Sequence, residues 1–171
     1  MCQRCAQIID NRNGQDRRKI SANAPMKSIS NETTFYEDTS SLDLLDGHLW
    51  RMSEKVADRA KARALAGRVV TLKLKRADHT LISRRVALRD PTQMADTIYR
   101  TARALFDQVG DQGPYRLLGT GLSDLCPEEQ ADLSGDLLDP DAGRRSKAER
   151  ATDRIRERFG ADAILKGRAL R

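Results

Sequence analysis

The sequence predicts an α+β fold: a four-stranded antiparallel sheet with two helices on one face, followed by a C-terminal helical tail. Three observations support this prediction: period-two alternation in four segments, two amphipathic helical stretches, and turn residues at the junctions. The resulting order is β-α-β-β-α-β over roughly residues 27 to 125. Because two helices cover only one face of such a sheet, we expect its other face to lie in solvent.

The first strand and the first helix follow from local patterns. Residues 27–35 alternate between an apolar face and a face that carries hydroxyl groups, which predicts a strand. Ser40 and Asp43 resemble a capping box, so a helix is expected to begin there. Its apolar stripe continues at helical spacing to about Leu65, and Gly67 is expected to stop it.

Local patterns also predict the remaining elements of the domain, which are three strands and a second helix. Alternating apolar and polar residues predict strands at 70–75 and 81–88, which a polar turn joins. A second helix is expected over 91–109, with Asp90 as its N-cap and a proline at its first position. Residues 115–125 then form the final strand, within which the Gly119-Thr-Gly121 segment suits a β-bulge.

These patterns divide the chain into four parts. The divisions are a flexible leader at 1–25, the sheet-and-helix domain at 26–125, an acidic linker at 126–143 and the C-terminal helical tail at 144–171. The pattern of the tail predicts a helix that ends at Gly160 and has a thin apolar stripe, which includes Ile155 and Phe159. We therefore expect the tail to dock weakly, or only with a partner.

The charge of the chain is unevenly distributed. The net charge is +6, yet residues 117–143 carry seven acidic residues and no Lys or Arg, which leaves +13 on the rest. This layout predicts a polyanionic partner, with nucleic acid first and an anionic membrane second. A membrane-spanning segment and a secretion signal are not expected, and the odd number of cysteines, three, suits a reducing cytoplasm and not a disulfide framework. We therefore expect a cytoplasmic protein. We also expect it to be a monomer, and a nucleic-acid partner would associate it with the nucleoid.

The predicted hairpin over residues 66–89 carries the main functional signal. It has seven basic residues against one acidic residue, Asp78, and neighbouring positions add hydroxyl donors. Such a face neutralises phosphates without reading sequence, whereas a single-strand binder would show stacking aromatics on its central strands. The alternative is that these charges only keep an open sheet face in solution. Nucleotidyl transfer is not expected, because Glu32 is a lone carboxylate in a strand.

The residues also resemble a known family. The resemblance is to the little-finger domain of Y-family DNA polymerases of the polymerase IV group, and it covers about residues 14 to 171. The segments that carry it are 27–35 (KSISNETTF), 67–75 (GRVVTLKLK), 83–85 (SRR), 90–92 (DPT), 115–119 (YRLLG) and 155–160 (IRERFG) with 163–164. Taken together, their order and spacing are specific.

The resemblance implies a sheet that lies against the major groove of primer-template DNA and holds both backbones. The residues that would contact phosphate are Lys27, Ser28 and Ser30 in the first strand, Lys73, Lys75, Ser83 and Arg85 in the hairpin, and Arg116 in the last strand. The palm of the family, which uses Mg²⁺, and the fingers and thumb have no counterpart in this chain. The chain is therefore expected to bind no cofactor and to lack polymerase activity on its own, as a remnant or as part of a split enzyme.

Members of the family also carry a sliding-clamp motif. The segment from Gln130 to Ser134 resembles it, with Gln130 and Leu133 as clamp-binding residues, but Ser134 stands where an aromatic residue is expected. An alternative function is therefore a protein-interaction module that recruits the clamp or another repair factor. A third hypothesis is an inert gene product, because residues 1–12 match nothing in the family.

Overall fold

The computed structural model describes residues 25–109, 113–132 and 141–167. Short 3₁₀ turns at Glu128–Gln130 and Ala161–Ala163 accompany the regular elements. The strands and helices are β1 (Ser28–Thr39), α1 (Leu42–Lys61), β2 (Leu65–Arg76), β3 (Leu81–Thr92), α2 (Ala95–Val109), β4 (Tyr115–Pro127) and α3 (Ala142–Phe159). The predicted order β-α-β-β-α-β and the C-terminal helix are confirmed.

The four strands form one antiparallel sheet in the order β1-β4-β2-β3. The last strand therefore lies between β1 and β2, and β1 and β3 are the edges. Along β2 and β4 the pairing runs without a break from Val70 opposite Leu122 to Lys75 opposite Leu117. Because successive side chains along a strand point to opposite faces of the sheet, this continuous register assigns each residue of this segment to one face.

Helices α1 and α2 cover one face and build an aliphatic core with few aromatic rings. Trp50 and Tyr99 meet edge to face across the two helices, with ring centroids 5.1 Å apart. The sheet contributes buried residues at alternate positions, and the helices contribute their apolar stripes. The buried aliphatic residues include Val70, Leu72 and Leu74 of β2, Leu118 and Leu122 of β4, Leu49 and Val56 of α1, and Ile98 and Leu105 of α2.

The first helix differs from its predicted bounds at both ends. Its N-cap is Ser41, whose hydroxyl accepts a hydrogen bond from the backbone N–H of Leu44 at 3.4 Å. The chain leaves the helix through Ala64, which has a left-handed φ of 51°, and β2 starts at the next residue. The prediction that Gly67 stops the helix was wrong. Gly67 lies inside β2, where an added Cβ would come within 2.8 Å of the Leu122 Cβ on β4.

The second helix also begins differently from the prediction. The predicted N-cap at Asp90 was wrong, because β3 continues through Asp90 and Pro91 to Thr92. Instead, the Thr92 hydroxyl oxygen accepts a hydrogen bond from the backbone N–H of Met94 at 3.1 Å. A carboxylate from the tail completes the cap: Glu149 accepts hydrogen bonds from the N–H groups of the first two residues of α2 at 2.7 and 3.2 Å. Acceptors at this position satisfy amides that have no partner within the helix.

The tail helix α3 docks through charged residues and not through its apolar stripe. Ile155 and Phe159 are 38% and 67% exposed, whereas Glu149 is only 4% exposed. The ammonium group of Lys61 on α1 lies 2.8 Å from Glu149 and 2.6 Å from Asp153. Burial alone would lower the pKa of Lys61, but these two carboxylates outweigh it and the pKa is raised. The predicted helix end at Gly160 is confirmed, with a φ of 96°.

Within the described ranges, none of the helices combines the length and the apolar character that crossing a bilayer requires.

Candidate nucleic-acid interface

The strand register assembles a surface of mainly polar residues and glycine on the sheet face opposite the helices, which we call the open face. Residues paired across neighbouring strands point to the same side, so each register row can be followed from β1 to β3. Three successive rows, written in the order β1, β4, β2, β3, are Ser30, Gly121, Thr71, Arg85; Glu32, Gly119, Lys73, Ser83; and Thr34, Leu117, Lys75, Leu81.

Most of the residues predicted to contact phosphate lie on this open face. Ser28 is exposed and pairs with Ser123, in a further row next to that of Ser30. The remaining members of the set are Ser30, Lys73, Lys75, Ser83 and Arg85, which come from three different strands. Local alternation therefore placed these side chains on the correct face, although their mutual distances depend on the strand order.

Two of the predicted residues lie outside the regular rows. Lys27 is exposed immediately before β1. Arg116 falls where the pairing of β4 shifts register, between Tyr115 and Leu117. Its guanidinium group forms an ion pair with Asp38 of β1 at 3.1 Å. The structure thus places Arg116 at the end of the sheet, beside a carboxylate that the sequence did not link to it.

Two glycines leave the open face of β4 without side chains over part of its length. Gly119 and Gly121 occupy successive open-face positions, and the register passes through both without interruption. The predicted bulge at this segment was therefore wrong. A Cβ on Gly119 would lie 2.8 Å from the Glu32 Cβ, and one on Gly121 would lie 2.7 Å from the Ser30 Cβ. Glycine is required here because β1 approaches β4 closely, and the result is a trough between the side chains of β1 and β2.

We expect Gly121→Ala to lower the free energy of unfolding by about 1 to 3 kcal/mol, because the new methyl group overlaps atoms of β1 that cannot move independently. The nearest of these include the backbone oxygen of Ile29 at 2.9 Å. Chemical denaturation measures the loss. Gly143→Ala is the matched control, since its Cβ would meet nothing within 4 Å in α3. Equal stability of the two variants would contradict the close approach.

One basic residue of the open face carries an intramolecular partner across this trough. The Lys73 ammonium nitrogen lies 2.7 Å from the Glu32 carboxylate oxygen, and both side chains are more than two fifths exposed. Glu32 and Lys73 belong to the same row, with only Gly119 between them. This pair could not be predicted from local patterns, because it depends on the strand order, in which β4 lies between β1 and β2. Within the described residues, no ion pair is found for Lys75 or Arg85.

The segment with the clamp-like motif is only partly described. Gln130 is exposed at the end of the 3₁₀ turn that follows β4. Asp132 fixes this turn to the end of β3, since its carboxylate accepts a hydrogen bond from the Thr92 hydroxyl at 2.8 Å. Burial raises the pKa of Asp132, in opposition to the hydrogen bonds from Thr92 and from the Gln93 backbone. Leu133 lies outside the described residues.

Among the described residues, no group of three or more His, Cys, Asp or Glu side chains converges as metal ligands would. The carboxylates that approach one another, such as Glu149 and Asp153, do so around Lys61 and not around an empty centre. The open face itself presents cations and hydroxyl groups, which suit anion binding.

Comparison with known proteins decides the family. Residues 26–135 match the impB/mucB/samB family C-terminal domain. The chain belongs to this family. It is 47% identical over 154 residues to DNA polymerase IV of Brucella melitensis, covering 90% of this chain and 34% of that protein. It is 41% identical over 159 residues to DNA polymerase IV of Caulobacter vibrioides, covering 92% and 39%. The chain thus spans between a third and two fifths of the length of these curated relatives.

Solved structures support the same fold. A Y-family DNA polymerase chimera superimposes on this chain with a TM-score of 0.52 at 13% identity, covering 72% of this chain and 36% of that one. An insertion ternary complex of Dbh DNA polymerase gives a TM-score of 0.51 at 10% identity, covering 70% and 34%. The arrangement of strands and helices is therefore shared across sequences that have diverged widely.

Proposed function

We propose that the open face of this little-finger domain grips the backbone of duplex DNA without reading its sequence. The observation that carries the proposal is the strand register, which brings Lys73, Lys75 and Arg85 together with serine hydroxyls on one surface, opposite the helices that the structure describes. Lys and Arg displace the counterions that are condensed on DNA, and this release supplies affinity that is independent of sequence. The hydroxyl groups add hydrogen bonds that position the backbone.

The composition of the open face favours a duplex over a single strand. The rows on β4 and β2 contain Gly, Thr, Leu and Lys, and no aromatic ring on which a base could stack. The glycine trough also lets a bulky partner approach the main chain of β4. The relatives are named DNA polymerase IV, so the partner we propose is primer-template DNA in the cytoplasm, during translesion synthesis.

The proposal is tested by titrating fluorescently labelled duplexes of several unrelated sequences with the protein at increasing salt. We expect affinities that agree within a few fold across sequences and fall steeply with salt, with a log–log slope of about −0.9 for each phosphate contacted. Five to seven contacts would correspond to a slope of roughly −4.5 to −6.3. Salt-insensitive binding, or strong preference for one sequence, would reject the proposal.

We propose that this chain is not catalytic on its own, and that the polymerase activity of the family requires the palm. The proposal follows from the described residues, which bring together no group of three or more carboxylate, imidazole or thiol side chains that could hold a metal ion, whereas nucleotidyl transfer needs carboxylates around paired metal ions. A primer-extension assay with Mg²⁺ and nucleotides tests it directly: extension by the purified chain would refute it.

A second candidate function is recruitment of a sliding clamp. It rests on Gln130, which is exposed at a turn that Asp132 fixes to the domain. We expect a pull-down with the clamp to be weakened by Leu133→Ala if this segment is the binding site. Retention of the clamp by both the wild type and the variant would move the contact elsewhere on the domain.

A further inference from the structure

The ion pair across the glycine trough bears on how the open face meets its ligand. Strands two apart in a sheet are separated by about 10 Å, so their side chains normally do not meet. Here Gly119 lies between Glu32 and Lys73 in the same row and offers no side chain. The two long side chains therefore extend over it and close to 2.7 Å.

This contact changes the charge that Lys73 presents to a polyanion. A lysine that keeps its carboxylate partner neutralises no phosphate, and the carboxylate repels one. The pair is also weakly held, because the two side chains are 41% and 49% exposed and ion pairs in contact with solvent contribute little stability. A phosphate that reaches the trough can therefore replace Glu32 as the partner of Lys73.

We propose that Glu32 is an intramolecular counterion of the open face. A DNA phosphate must displace Glu32 from Lys73 before Lys73 can contact the DNA. The proposal rests on the proposed function and adds a residue that lowers the affinity. Asp38 stands in the same relation to Arg116, at 3.1 Å, and it comes from the same strand. Strand β1 thus supplies the carboxylate in both pairs, whereas Lys75 and Arg85 have no ion pair among the described residues.

The pairing divides the cations of the open face into two groups. Lys75 and Arg85 are available at first encounter, whereas Lys73 becomes available only after exchange. DNA must break the Lys73–Glu32 pair to bind, and the pair re-forms when the DNA leaves. The DNA therefore dissociates more readily than it would from a face of free cations. This property suits a domain that must hold a duplex without a fixed sequence position.

The test compares two identical substitutions on one strand. Glu32→Gln removes the partner of Lys73, whereas Glu37→Gln makes the same charge change on β1 at an exposed residue for which no ion pair is found in the described part of the chain. Affinity for a labelled random-sequence duplex is measured at about 0.15 M salt, where charges more than about 8 Å apart are screened. Circular dichroism verifies folding, and Glu32→Thr provides a second replacement that favours a strand.

We expect Glu32→Gln to tighten binding roughly two- to fourfold, the size expected for release of an exposed ion pair, and to steepen the salt slope by up to about 0.9. Glu37→Gln should change the affinity by less than half as much. In a Lys73→Gln background, Glu32→Gln should have no more effect than Glu37→Gln.

Equal effects of the two substitutions, or an undiminished effect of Glu32→Gln in the Lys73→Gln background, would overturn the counterion role. In that case a loss of binding in Lys73→Gln would leave the proposed DNA grip intact. If the wild type itself fails to bind duplexes, the proposed function is what fails.

Discussion

Reversing the charge of Lys73 and Lys75 together is expected to weaken duplex binding roughly tenfold or more at about 0.1 M salt. The two side chains follow each other on the open face of β2, about 7 Å apart along the strand. Each lost phosphate contact removes the release of its counterions, and the new carboxylates add repulsion. Fluorescence anisotropy with a labelled duplex measures the change. The slope of affinity against salt should become shallower by about 0.9 for Lys75 and by up to the same amount for Lys73, whose contribution Glu32 offsets in part.

The control for this reversal carries the same change in net charge on the helix side of the domain. Lys55 on α1 and Arg154 on α3 are both exposed, and no ion pair is found for either within the described residues. Lys55→Glu with Arg154→Glu should therefore weaken binding far less than the pair on β2. Similar losses in both double variants would mean that overall charge, and not the open face, governs binding.

Replacing Glu149 with alanine is expected to give the largest loss of stability, about 2 to 4 kcal/mol, because it removes one partner from a buried network. Glu149 is almost fully buried, pairs with Lys61 and caps the first two amides of α2. Its loss leaves a partly buried ammonium group with Asp153 alone, and it leaves two helix amides without their acceptor.

Chemical denaturation gives the loss of stability, and fluorescence of the single tryptophan, Trp50, reports whether the tail has separated. The ammonium group of Lys166 lies 4.5 Å from the centre of the Trp50 ring, so separation changes the surroundings of this residue. Glu157→Ala on the exposed side of α3 is the matched control and should change stability by less than about 0.5 kcal/mol. A loss in Glu149→Ala no larger than in the control would show that the buried network does not hold the tail.

The order of elements and the choice of face could be predicted from the sequence because both depend on local periodicity. Alternation along residues 70–75 places Lys73 and Lys75 opposite the helices whatever the strand order. The same applies to Gly160, which adopts the left-handed backbone that ends α3. Local rules are sufficient wherever the responsible residues are close in the chain.

The features that could not be predicted depend on contacts between distant segments. Gly67 resembles a helix stop, but its role is to let β2 approach β4 at Leu122. Asp90 followed by proline resembles a helix start, yet α2 takes part of its cap from Glu149, 54 residues away from Ala95. The partner of Lys73 required the strand order, since Glu32 lies across an intervening strand.

The docking of the tail is a further instance. Ile155 and Phe159 suggested a thin apolar stripe, whereas the buried side of α3 is polar and includes Glu149 and Arg156. Arg156 lies 3.1 Å from Glu54 on α1. Charged residues at helical spacing usually indicate a solvated face. Only the opposite charges of Lys61 and Glu54 on α1, which are distant from α3 in the sequence, reveal that this face is buried.

Backbone amide chemical shifts, mapped on addition of a random-sequence duplex, show directly which face of the sheet the DNA contacts. We expect the changes to cluster on the open face, with the amides of Gly119 and Gly121 among the largest and those of Lys73 and Arg85 beside them. The amides of α1 and α3 should move little. Changes concentrated on the helices, or spread evenly over the domain, would contradict a duplex held on the uncovered side of the sheet.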